Sequence, residues 1–249
     1  NDQGDYFMLH APIFRTVYEL HRKEDENEQI LFVDRPEVNC LIIVANAYGK
    51  VVNPYINMGR PIYLKPLNET LVEAEELYDF LSDNRQEFCI KEIEKVPNRQ
   101  DVDFDTQVKD LLKKNQWDII HYAGHSHFDE TSQKGFLFYP GSEGPKAVES
   151  DLFSHTLRFR TETKLLYLSS CQSSGSDFVL SFARQLIPAI IGFRWEIEDE
   201  KAAKHAELFY RKLFQEKKAL PYAFLETRQA MFEEAYDNKI WAAGMLIIQ

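Results

Sequence analysis

Apolar residues recur along this chain at two alternating spacings. Leu71, Ala74, Leu77, Tyr78 and Leu81 fall on one face of a 3.6-residue period, with Thr70 and Glu73 at capping-box spacing, so a helix of about three turns is expected. The same period predicts helices through Ile13, Phe14, Val17, Tyr18 and Leu20, through Phe104, Val108, Leu111 and Leu112 behind Asp103 or Asp105 as cap, and through Ala203, Ala206, Phe209, Tyr210 and Leu213. Two more are predicted at 177–186 and after Pro221, where proline suits a first helical turn. Between them stand short β-branched runs bounded by polar residues. ILFV, CLIIVA, FCIKEI, the run after Trp117, KLLYL, AIIGFRW and the closing AAGMLII read as strands, CLIIVA as one buried on both faces.

Breakers separate these runs. The cluster HRKEDENEQ ends the first helix in a solvated turn, and 46–66, with Gly49, Pro54, Gly59, Pro61 and Pro66, reads as a long irregular loop. GFLFYPGSEGP reads as a strand and tight turn, so a small hairpin, followed by the short amphipathic segment ESDLF, is expected between the strands that begin near Ile119 and Leu165. Strand and helix in regular alternation define an α/β fold with a mainly parallel sheet, helices on both faces and right-handed crossovers. One domain over 1–249 accounts for the pattern.

Composition fits that reading: 249 residues, 44% hydrophobic and 28% charged, describe a globular chain able to bury a sizeable core. A net charge of −11 with scattered Lys and Arg gives no clustered basic surface for nucleic acid, so no direct nucleic-acid binding is expected. The start NDQGDYFMLH lacks the basic and apolar regions of a secretory signal, and no apolar run approaches the roughly 20 residues needed to span a bilayer, so neither export nor a membrane partner is expected. Three cysteines, Cys40, Cys89 and Cys171, make no even disulfide framework and point to the reducing cytoplasm. The absence of methionine at Asn1 leads to the expectation of a domain excised from a longer multidomain protein.

The candidate chemistry lies at two strand ends. The apolar runs at Ile119 and Leu165 each stop at a polar, small-residue turn, and those turns begin with His125 and Cys171. Parallel strands deliver side chains to the carboxyl edge of a sheet in this way. Cysteine often serves only as a small core hydrophobe, the reading given to Cys40 and Cys89. Cys171 differs, because Gln172, Ser173, Ser174, Gly175 and Ser176 after it would admit a substrate backbone, and a helix start near Asp177 would favour thiolate. His121 lies inside an apolar run and reads as a core residue or a donor behind the site. A competing reading joins His125, His127 and Asp129 as an HxHxD metal set, but Glu130 stands where another histidine is usual and no second histidine cluster follows. No metal or other cofactor is therefore assigned.

HYAGHSHFDE, the hairpin and ESDLF after it, LLYLSSCQSSG, IIGFRWEIEDEKAAKHAELFYRKL and the closing WAAGMLII together resemble the CHAT domain, a caspase-like peptidase domain related to separases and caspases. The resemblance runs from about His10 to Gln249. It implies a caspase-haemoglobinase-like fold and a catalytic dyad of His125 and Cys171, with backbone N–H groups of Ser126 and Cys171 as oxyanion hole. Ser126 stands where the family often has glycine. It also implies an intracellular cysteine endopeptidase acting on a protein substrate, controlled by a neighbouring domain or activating partner, as in CRISPR-linked or gasdermin-linked bacterial antiviral defence. A catalytically silent scaffold or sensor with the same fold is the alternative.

Caspase-like peptidases read the P1 side chain beside the dyad with the loop after the strand that follows the nucleophile, here Trp195, Glu196, Ile197, Glu198 and Asp199. Trp195, Glu196, Asp199 and Asp129 are accordingly expected to bind substrate and to select Arg or Lys at P1, since carboxylates meet a guanidinium with charge-assisted bonds. A blander reading assigns Glu198, Asp199 and Glu200 to the N-terminus of the next helix, and Arg194 could neutralise a carboxylate or itself favour an acidic P1.

Overall fold

The structure, a computed structural model, describes residues 14–16, 37–96, 103–114, 116–158, 163–170, 178, 182, 187–234 and 240–248. Its frame is a seven-stranded sheet, and the strands, numbered in chain order among twelve, are β1 (Phe14–Thr16), β2 (Val38–Ala45), β5 (Ile90–Val96), β6 (Ile119–Gly124), β10 (Leu165–Ser169), β11 (Ala189–Phe193) and β12 (Gly244–Ile248). They lie in the order β1-β12-β11-β10-β6-β2-β5. All neighbours are parallel except β11 and β12. The central strands are apolar without alternation because both of their faces are covered: Ile119, Leu165, Leu166, Ile190 and Ile191 are each at most 1% exposed.

One face carries α1 (Asn68–Asp83), α4 (Asp199–Tyr210), its one-turn π-helical extension Arg211–Gln215, and α5 (Leu220–Glu234). The other carries α2 (Phe104–Lys114) and α3 (Ser150–Arg158), together with Phe178 and Phe182, both helical and buried. Alternation along β6 and β10 sends Ile119, His121, Leu165, Tyr167 and Ser169 to the α1 side and Ile120, Tyr122, Leu166 and Leu168 to the other. The expected mainly parallel α/β sheet with helices on both faces is what the structure shows.

Several local expectations change. Residues 14–16 form β1, not helix; pairing of Phe14 with Leu246 overrides a helical spacing too short to stand alone. The loop at 46–66 contains β3 (Gly49–Val51) paired antiparallel with β4 (Ile62–Leu64), and Val51 and Ile56 pack under it against Phe136 and Phe138. Its three prolines all fall outside the ladder, which is why the hairpin tolerates them. The expected small hairpin is a three-stranded antiparallel sheet of β7 (Ser126–Asp129), β8 (Lys134–Tyr139) and β9 (Lys146–Glu149). Cys89 is exposed, in a turn at φ 55 before β5, and not in the core; Cys40 is buried in β2. ILFV, the acidic cluster before it and most of 177–186 lie outside the described residues.

Candidate active site

The carboxyl ends of β6 and β10 lie side by side, in a register that pairs Ala123 with Ser169. In sequence His125 and Cys171 each follow those paired residues by two positions. Cys171 and the residues after it to Asp177 lie outside the described part of the structure.

His125 is half-buried at the end of β6. Its Nε2 lies 2.7 Å from the backbone carbonyl oxygen of Lys65, and since a carbonyl can only accept, Nε2 carries the proton. The neutral ring therefore presents Nδ1 as its basic nitrogen. Burial holds the imidazole pKa below its ordinary value, and the Lys65 carbonyl and the negative charge of Asp199 offset part of that. The partner carbonyl has a sequence-level cause, because Lys65 precedes Pro66 and a residue before proline is confined to extended conformations. The amide of Leu67 then donates to Asn46 Oδ1 at 2.9 Å, which ties the far end of the hairpin segment to the end of β2.

The backbone of His125 is held just as firmly. Its carbonyl accepts from the amide of Phe138 at 3.1 Å and from the hydroxyl of Tyr122 at 2.8 Å. Burial pushes the Tyr122 pKa up, so the hydroxyl remains a donor. Gly124 is required by close approach, since a Cβ there would stand 2.7 Å from the Ala45 carbonyl oxygen and 2.8 Å from that hydroxyl.

The remaining predicted site residues divide into two groups. Trp195, 41% exposed, and Glu196, also exposed, lie between β11 and α4 at the same edge of the sheet. Asp199 and Asp129 have their carboxylates bound to the protein itself. Asp199, in the first turn of α4 with Glu200, accepts the Glu69 amide at 2.8 Å and the Thr70 hydroxyl at 2.9 Å, and so caps α1 from outside. The expected capping box is absent: Glu73 turns inward, and Asp199 takes its place. Asp129, 6% exposed, accepts the Asn57 amide at 2.6 Å and the Ser132 amide at 2.7 Å. It thereby steadies Asn57 and Met58, both in the left-handed region at φ 49 and φ 55, and those two bonds hold its pKa low.

Ser126 opens β7, opposite Leu137. His127 is half-buried on the same strand, and burial lowers its pKa. His125 Nε2 is bound to a carbonyl and both Asp129 oxygens to amides, and among the described residues no group of three or more His, Cys, Asp or Glu is placed to hold a metal ion.

The protein is thus a mainly parallel sheet covered by helices on both faces, with a polar edge at the carboxyl ends of its central strands. Among solved structures the chain is similar to the complex of Porphyromonas gingivalis RgpB pro- and mature domains, with TM-score 0.50 and 14% identity over 85% of this chain and 47% of that one. A second match is the Arg specific cysteine proteinase gingipain R (RgpB), with TM-score 0.49 and 13% identity over 90% of this chain and 47% of that one. A third is the Saccharomyces cerevisiae separase–securin complex, with TM-score 0.46 and 15% identity over 88% of this chain and 12% of that one. The chain thus spans about half the length of the gingipain chains. Its sequence matches the CHAT domain over residues 3–248, and the chain belongs to that family. No curated protein matches it.

Among the described residues, no helix is long and apolar enough to cross a membrane. Sequence reasoning missed the Lys65 carbonyl and the inward turn of Glu73. The first carried a signal in the Lys-Pro pair; the second had none, because its capping-box spacing pointed outward.

Proposed function

We propose that the chain is a cysteine endopeptidase working in the cytoplasm through His125 and Cys171. The observation that carries this reading is the His125 Nε2 contact with the Lys65 carbonyl. It fixes one tautomer and leaves Nδ1 as the base at the strand end next to the one that leads to Cys171. In the proposed reaction the Cys171 thiolate attacks the scissile carbonyl, and backbone N–H groups of Cys171 and Ser126 hold the oxyanion. His125, having taken the thiol proton, gives it to the departing amine. Water then adds to the thioester as His125 removes its proton, and collapse releases the acid and the thiol.

The substrate is a protein cut after Arg or Lys. Glu196 is the specificity carboxylate, with Trp195 as the apolar wall for the side-chain stem, while Asp129 and Asp199 support the site from behind. A neighbouring domain or an activating partner controls the activity, and bacterial antiviral defence is its setting.

The test is incubation of the chain with a cellular proteome and mapping of the new termini. New termini that follow Arg or Lys and vanish in both Cys171→Ala and His125→Ala are expected. Termini that persist in those variants, or a Cys171 thiol that reacts with iodoacetamide no faster than Cys89, would sink the reading.

A further inference from the structure

The α1 face of the sheet holds a carboxylate where an aliphatic side chain would serve packing alone. Glu73 is 4% exposed, and its two oxygens go to two different strands. Oε2 accepts the hydroxyl proton of Ser169, on β10, at 3.0 Å. Oε1 lies 3.0 Å from Nε2 of His121, on β6, at an alignment off-line for a hydrogen bond. His121 comes four residues before His125, and Ser169 two before Cys171.

We infer that Glu73 is a positioning residue of the proposed peptidase site, clamping from α1 the two strands that precede His125 and Cys171 in sequence. The inference rests on the proposed dyad. Three further observations support it. A buried carboxylate is costly unless its lone pairs are met, so a site that merely fills volume would not use one. Its partners are themselves locked: the His121 ring stacks on Tyr167 at 4.9 Å and 25°, and its Nδ1 lies 3.2 Å from the Tyr210 hydroxyl on α4. Finally, the start of α1 is bound to Asp199, whose charge reaches His125. One helix therefore links the edge of the site to the floor beneath both strand ends. Besides His121, the groups that couple to Glu73 are Tyr167, Tyr210 and, through Tyr210, Cys40, and Glu76, Asp79, Glu207 and Arg211 line the same cleft beside it.

The clamp is tested on the 249-residue chain by the rate at which iodoacetamide alkylates Cys171 between pH 5 and 9, beside kcat and KM for an Arg-P1 peptide. Glu73→Gln keeps the shape and the Ser169 contact while removing the charge. Ser169→Ala removes one hydroxyl and serves if the Glu73 variants fold poorly. Both are expected to lower kcat about tenfold with KM within threefold, an effect in scale with small misplacements of reacting groups, and to move the alkylation profile toward that of an ordinary thiol. In a Glu73→Ala background, Ser169→Ala should add less than twofold, because its partner is already gone. Wild-type kinetics and alkylation profile retained in Glu73→Gln and Ser169→Ala, or independent losses that multiply, would overturn the clamp alone. A wild type with neither a fast thiol nor any cleavage would overturn the peptidase reading first and the clamp with it.

Discussion

The imidazole of His125 and the carbonyl of Lys65 meet at 2.7 Å across 60 residues of sequence, so the tautomer of the candidate base is set by a segment outside the main sheet. That segment owes its carbonyl direction to Pro66. Replacing the proline frees the Lys65 backbone without touching the ring. Pro66→Ala is therefore expected to reduce kcat roughly tenfold with little change in melting temperature. A wild-type kcat in this variant would show that the carbonyl does not orient the ring.

Asp199 has two effects that one substitution separates. Asp199→Asn removes the charge that raises the His125 pKa and weakens the outside cap on α1. NMR titration of His125 should show a midpoint lower than in wild type, and chemical denaturation a loss of about 1 kcal/mol. A rise in the midpoint would contradict the electrostatic link.

Acid stability is expected to be governed by His205. Burial, then the nearby Arg228, lowers its pKa to about 3, while its Nδ1 lies 2.7 Å from the Tyr167 hydroxyl. The folded pKa is depressed, so the unfolded chain takes up the proton first. The stability tied to the neutral ring is complete above the ordinary histidine pKa near 6.5 and is lost as pH falls from there toward 3, by an amount on the order of a few kcal/mol. Denaturation midpoints measured across that window should fall with acid, and His205→Gln should flatten the slope.

Gly124→Ala places a methyl group against the Ala45 carbonyl and the Tyr122 hydroxyl. A loss of roughly 1–3 kcal/mol in denaturant unfolding is expected, as for other overpacked sites, together with reduced activity because the displaced hydroxyl holds the His125 backbone. An unchanged unfolding midpoint would mean that β2 and β6 can part at no cost.

Specificity should follow Glu196 and Trp195. Glu196→Gln is expected to lower kcat/KM for Arg-P1 peptides about tenfold while leaving neutral P1 residues unaffected, and Trp195→Ala to raise KM for both basic residues. Faster cleavage after Asp than after Arg by the wild type would remove this pocket.

Strand positions were legible where burial on both faces left an unbroken apolar run: β2, β6, β10 and β11 fall where CLIIVA, the run after Trp117, KLLYL and AIIGFRW predict them. The same runs, ending at polar turns, drew attention to His125. Elements made by distant partners were not legible. β1 is a strand because Leu246 lies beside Phe14, and nothing near Phe14 says so. Asp199 reads locally as part of an acidic turn, yet its carboxylate caps a helix 130 residues away. Glu73 carries the spacing of a cap and becomes a buried partner of Ser169 and His121, since local spacing cannot tell which neighbour a carboxylate will meet in the fold.

The pairing of β1 with β12 joins Phe14 to Leu246, and so sets the order in which the molecule can be completed. During synthesis this ladder cannot close until the segment through Ile248 has left the ribosome, so β1 waits unpaired while the centre of the sheet is already able to form. Closure of so long a loop is slow but costs little more than closure of a medium one, because the entropy grows only with the logarithm of length. A chain stopped before β12 would leave both β1 and the edge of β11 without partners, exposing two strand edges to other chains.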